Sequence, residues 1–234
     1  FDFAIISDDQ FVSAYIEKAK VLEKVKRYNE ALENFRLSIE LSEPNSFVYY
    51  RIAKCYIKIN NKKLFIDFIK KSVREEPGNE KAWIFLIKYY LKNNNFRQAK
   101  YLSSKALINN HNSIKILRLN AIIHKEIGDT REAIKFYNQI LDFKENLSWK
   151  IWKGLLKCLI DNKEWSELLR TSLKAKKHYP NKAFLDFIIS GCLLKNGKIN
   201  EAIYFYQSGK KTCQVPEKLI KYFPEFNENK TLLV

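Results

Sequence analysis

One interval recurs along this chain and restricts what it can fold into. A small or apolar residue returns as Ala31, Phe65, Ala99, Ala133, Leu168 and Ala202, at spacings of 34, 34, 34, 35 and 34 residues. Chance patterns drift, and this one does not. The clearest copy occupies residues 114–145. Leu117, Asn120, Ala121 and His124 fall at i, i+3, i+4 and i+7, so they share one helical stripe. Gly128 breaks the pattern, and Asp129 or Thr130 is the candidate N-cap of the next helix. Ala133, Phe136, Tyr137 and Ile140 form a second stripe. The small Ala121 and Ala133 allow the two helices to approach closely. One such hairpin cannot bury its own apolar face, so the copies must stack into an all-α array.

The residues within the period resemble the tetratricopeptide (TPR) repeat, a helix-turn-helix unit of about 34 residues. The family's Trp, Leu, Gly and Tyr positions are matched by Tyr49, Ile52, Ala53 and Tyr56, and again by Trp83, Leu86, Ile87 and Tyr90. Its closing Pro is matched by Pro77 and Pro180, with Pro44 and Pro216 displaced by a residue or two. The resemblance implies a right-handed superhelical solenoid of antiparallel helix pairs. It divides the chain into residues 1–11, the tail of an upstream helix or segment; six repeats over 12–216 (12–45, 46–79, 80–113, 114–148, 149–182 and 183–216); and 217–234, a capping helix and tail. Ser7, Asp8 and Asp9 are the expected caps of the first repeat helix. Leu219, Ile220, Tyr222 and Phe223 are expected to pack on the last repeat, ended by Pro224. Phe65 stands where the family has a small residue, which predicts altered local packing.

Charge enters next. The chain carries 42 Lys and Arg against 26 Asp and Glu, a formal net charge of +16. That favours an acidic partner: an acidic peptide, a nucleic acid or an anionic surface. A Lys-, Asn- and Ile-rich composition of the kind an AT-rich genome gives is the competing explanation. Position decides between them. In TPR arrays the first helix of each repeat lines the concave groove through its second, fifth, ninth, twelfth and thirteenth repeat positions. Carried over here, 14 of those 30 positions are Lys or Arg and three are acidic, against 42 of 234 basic residues overall. Lys20, Lys54 and Lys88 form one ladder, and Lys24, Lys58 and Lys92 a second. Arg118, Lys150, Lys153 and Lys157 continue the series, with Phe47, Tyr50, Phe184 and Phe187 as apolar anchors. The expectation is one continuous basic surface. The family's carboxylate clamp needs inward Asn residues that repeats one to three lack.

Chemistry has little to work with. Cys55, Cys158 and Cys192 hold one first-helix position, shared with Val21, Tyr89 and Ile123, and are expected to be buried and structural. No paired Cys or Cys/His cluster suggests zinc, and no nucleophile elbow, phosphate loop or dinucleotide fingerprint is present. His111 and His178 fall at repeat ends, and His124 on a packed stripe. No cofactor and no enzymatic activity are expected. No apolar run approaches the roughly 20 residues of a membrane span. The chain lacks Met even at position 1 and reads as a fragment or processed form, which keeps a periplasmic location open; the location is unknown from the sequence, with the cytoplasm or the cytoplasmic face of a membrane favoured. The sequence reading is a scaffold or adaptor that binds an acidic or acidic-apolar protein segment within a larger assembly, with bacterial envelope and flagellar-motor complexes as compositional likenesses. The alternative is an RNA-binding helical repeat.

Overall fold

The structure, a computed structural model, describes residues 1, 5, 11–43, 45–143 and 147–226. Among the described residues, twelve helices follow one another in pairs. They are α1 (Val12–Lys24) and α2 (Tyr28–Glu40), α3 (Ser46–Lys58) and α4 (Lys62–Glu75), α5 (Glu80–Lys92) and α6 (Phe96–Asn109), α7 (Ile114–Glu126) and α8 (Thr130–Phe143), α9 (Trp149–Asp161) and α10 (Trp165–His178), and α11 (Ala183–Lys195) and α12 (Ile199–Lys210). A short helix α13 (Glu217–Ile220) and a 3₁₀ turn (Pro224–Phe226) complete the described chain, which contains no strand among the described residues. The expected caps Ser7, Asp8 and Asp9, the closing Pro44 and the tail 227–234 lie outside the described residues.

The turn inside each pair is one motif used six times. Lys26, Asn60, Asn94, Gly128, Lys163 and Gly197 all take positive φ, between 54° and 84°. The next residue then donates its N–H to the carbonyl five residues back, as Arg27 does to Leu22 at 2.9 Å and Asp129 to His124 at 2.8 Å. This is the Schellman end of a helix, and it satisfies carbonyls that the last turn would leave orphaned. Gly128 and Gly197 adopt the left-handed conformation without a Cβ penalty; Asn tolerates it, and Lys26 and Lys163 bear it. The same residue that closes one helix caps the next. Asn61 accepts from Leu64 N and Asn95 from Gln98 N, each at 3.1 Å, and Asp129 from Glu132 N at 3.3 Å. Asp129 is therefore the cap and Thr130 the first helical residue. Asn45 and Asn79 cap α3 and α5 likewise. Four of the 21 asparagines, Asn45, Asn61, Asn79 and Asn95, thus cap helix starts.

The chain forms two compact units, Phe1–Leu119 and Asn120–Val234. In both, the period sets the core. All six marker residues, Ala31, Phe65, Ala99, Ala133, Leu168 and Ala202, are completely buried. Each is the fourth residue of its second helix, where the partner helix crosses. In the first unit Phe65 is accommodated by aromatic neighbours, with ring centroids 5.3 Å from Phe85 and 4.7 Å from Tyr89. In the second, Ile189, Leu193 and Ala202 form a cluster closed by Leu169, Leu194 and Phe205. Cys55, Cys158 and Cys192 are fully buried free thiols, and Cys213 is an exposed one. Burial pushes the Cys55 and Cys192 thiols up to about 12 and that of Cys158 to about 11. Val21 departs from its equivalents and is exposed. That position faces the first helix of the preceding pair, as the proximity of Cys55 to Glu23 and of Cys158 to Lys125 shows. No pair precedes α1 among the described residues.

Candidate functional site

In the first unit, the first helices α1, α3 and α5 present lysines, but an acidic residue is built into their midst. Glu23, only 11% exposed, takes Arg51 at 2.8 Å and Lys54 at 2.7 Å. Lys20 is held by Glu17 at 2.6 Å. These pairs neutralise Lys20 and Lys54 of the first expected ladder, which the sequence pattern of lysines alone did not show. Phe47 is exposed, with Lys20 and Arg51 against its ring at 5.9 and 5.6 Å. Tyr50 is half-buried, edge-on to Phe85, with Lys54 over its face. Lys58, Lys88 and Lys92 are exposed and Arg118 half-buried, and none has an acidic partner among the described residues.

The second unit is different. Lys150, Lys153 and Lys157 are exposed on α9. Lys153 and Lys157 border a cavity of about 1010 Å³. Its other walls are Trp149, Ile160, Lys182 and Phe184 from α9 and the start of α11, and Lys218, Leu219, Lys221 and Tyr222 from the C-terminal segment. Cys213 stands at its edge. Six lysines line this space, Lys125 and those just named, against Asp161 and Glu217. Asp161 is engaged already: Lys125 lies 3.2 Å from it and the Tyr222 hydroxyl donates to it at 2.8 Å. Burial, and then the nearby Lys153, Lys125 and Lys218, hold the Lys157 ammonium below its ordinary pKa. Positive charge is in excess here and repels itself. Apolar surface lies beside it. Phe184 is half-buried and meets Trp149 edge-on at 6.2 Å, and Lys182 covers the Trp149 ring at 5.9 Å.

Phe187 is a correction. It is completely buried, 6.0 Å from Tyr206 and 6.3 Å from Phe226, and belongs to the core. The chain's own C-terminal segment covers this face of α11: the Phe223 ring lies against Gly191 and 5.4 Å from Trp165. Sequence reasoning missed Arg51, Trp149, Lys182, Lys218, Lys221 and Tyr222. The last three lie in the segment expected to end the array. The LIKYF stretch signalled that it packs on the last repeat, but not that its lysines border a cavity shared with α9.

The described residues include no group of three or more His, Cys, Asp or Glu placed to hold a metal. His124 is buried with Nδ1 3.1 Å from Asp129, His111 is exposed, and His178 stacks on Trp152.

The family model for the tetratricopeptide repeat matches residues 12–45 and 48–79. The fold of the C-terminal part of a TPR repeat-containing protein from Cytophaga hutchinsonii superposes with a TM-score of 0.66, at 17% identity, over 91% of this chain and 85% of that one. The first two helix pairs match the tetratricopeptide repeat in sequence, and the described chain shares the fold of such proteins. The structure of PilF from Pseudomonas aeruginosa is similar at a TM-score of 0.62 and 12% identity, covering 95% of this chain and 99% of that one. At these identities the likeness is one of fold. A tetratricopeptide repeat-containing protein of Caenorhabditis elegans, trd-1, is 24% identical over 140 residues, 60% of this chain and 18% of that protein. The chain therefore spans about a fifth of that relative's length. The TPR fold is a scaffold for protein–protein interaction, and no described helix is long and apolar enough to cross a membrane.

Proposed function

We propose that this TPR protein is a non-enzymatic scaffold that binds an acidic or acidic-apolar segment of a partner protein on the lysine-bearing faces of its first helices, within a larger assembly. One observation carries the reading: the lysines around the α9 cavity exceed the acidic groups beside them, and they stand next to the aromatic rings of Trp149 and Phe184. A partner carboxylate there relieves repulsion already present in the free protein, and an apolar side chain finds a wall to cover. The first unit by itself presents Lys58, Lys88 and Lys92, with Phe47 as an exposed anchor, while Glu23 makes its upper end less basic. A single exposed lysine contact contributes about 0.2–1 kcal/mol, so affinity comes from several together.

The test is fluorescence anisotropy with a short labelled peptide of Asp and Glu carrying a central Leu-Phe pair, competed by single-stranded oligo-uridine. Lys153→Glu/Lys157→Glu is expected to weaken peptide binding strongly while the melting temperature holds or rises. Binding should also weaken as salt shortens the Debye length to about 8 Å. Oligo-uridine binding tighter than the peptide, with a steep salt slope, would establish the nucleic-acid reading instead.

A further inference from the structure

The chain after α12 could have closed the array as an end cap. It runs elsewhere. Residues 213–226 lie across the first helices α9 and α11 of the second unit. Leu219, Phe223 and Phe226, at i, i+4 and i+7, are all buried. Phe223 fills the space left by Gly191 and rests on Trp165, and Phe226 meets Phe187 and Tyr206. Tyr222 reaches back to Asp161 at the end of α9, and Glu225 lies 3.5 Å from Lys195. With its apolar face seated, the segment presents Lys218, Lys221 and Tyr222 to the cavity opposite Lys153 and Lys157.

We propose that this segment is a working wall of the partner site: Lys218 and Lys221 grip the acidic partner segment from one side while Lys153 and Lys157 grip it from the other. The inference rests on the acidic-segment reading above and adds which residues complete the site. Three features select the occupant. The cavity's lysines outnumber its acidic groups six to two, and Asp161 is spent on Lys125 and Tyr222. The volume of about 1010 Å³ is at the upper end of ligand sites, which run to about 1,000 Å³, so it suits a peptide better than a small anion. Trp149 and Phe184 offer an apolar seat beside the charge, which a peptide with an apolar side chain uses and a bare polyanion does not. The segment also fixes where the partner stops. Phe223 and Phe226 already occupy the face of α11 around Gly191 and Phe187, so that face is closed to it.

The experiment measures binding of the same labelled Asp/Glu peptide to the full chain. Three double variants are compared: Lys218→Glu/Lys221→Glu, Lys153→Glu/Lys157→Glu, and, as a charge-matched control away from the cavity, Lys174→Glu/Lys177→Glu. All six lysines are exposed, so folding is expected to persist, checked by circular dichroism melting. An environment-sensitive dye on Cys213, at the cavity edge, gives a second readout. The proposal expects both cavity variants to weaken binding about tenfold or more and the control to change it by about twofold or less. Loss in the α9 variant alone overturns the C-terminal wall and leaves the acidic-segment reading standing. Tighter binding in Lys218→Glu/Lys221→Glu makes the segment a competitor for the site, and also overturns the proposal. No loss in either cavity variant, or no binding by the parent protein, overturns both readings.

Discussion

The seating of the C-terminal segment turns on Gly191. A Cβ built there would lie 2.5 Å from Phe223 Cγ and 2.7 Å from its Cε1, well inside the usual carbon–carbon contact of about 3.5–4 Å. These are ring atoms, not the free end of a flexible chain. The ring has little room to retreat, because Trp165 and Phe226 stand 5.4 and 5.6 Å from it, centroid to centroid. Gly191→Ala therefore imposes overpacking of about 1–3 kcal/mol. Against an undocked segment that is a shift of about 5- to 150-fold in the docked ratio. The expected result is local. Hydrogen exchange should accelerate across 216–226 by a comparable factor, while the amides of α9 and α10 keep their protection. The Asp/Glu peptide should also bind more weakly, since Lys218 and Lys221 lose their placement. Gly78→Ala is the control, with nothing within 4 Å of the added Cβ. A double-mutant cycle sharpens the test: Phe223→Ala removes the clash, so it should cost less in the Gly191→Ala background by about the overpacking energy. Unchanged exchange over 216–226 in Gly191→Ala, or additive effects in the cycle, would refute the seating and the wall it forms.

Other outcomes follow from the same geometry. A thiol reagent should modify Cys213 rapidly in the native protein, and Cys55, Cys158 and Cys192 only on unfolding; fast reaction of all four contradicts their burial. The buried thiols keep their protons to about pH 11 or 12, whereas ordinary thiols ionise near 9.0, so above about pH 9 the unfolded state binds fewer protons and stability should fall as pH rises. A variant with Ala at the three buried positions should show a flatter alkaline melting profile. Glu23→Gln should destabilise the first unit by about 1–3 kcal/mol, read as a lower melting temperature, because Arg51 and Lys54 lose their shared partner, and should strengthen binding of the acidic peptide there. Lys26→Gly and Lys163→Gly should each stabilise by about 0.5–1 kcal/mol in denaturant titrations, since both sit at positive φ where a side chain is costly.

The sequence by itself determined the repeat. Burying one stripe of each helix at a fixed crossing point demands a small or apolar residue there, and its return every 34 or 35 residues marked all six second helices and all six turns. The burial of Ala31 through Ala202, and of Cys55, Cys158 and Cys192, was legible for that reason: periodicity is a local property, and the chain displays it directly. Lysine placement was legible only in part. The pattern located Lys153 and Lys157 on α9, but it could not weigh Lys54 against Glu23, which are 31 residues apart and meet only when α1 and α3 pack. Phe187 looked like an anchor because its helical position matched Phe184's; only the arrival of Phe226 and Tyr206 made it core. What the tertiary structure decided was the path of residues 213–226. That path depends on a ring from the chain's end fitting the gap at Gly191 and a hydroxyl reaching Asp161, 61 residues away. Such contacts have no period and no spacing rule, so a sequence carries their residues without displaying their meeting.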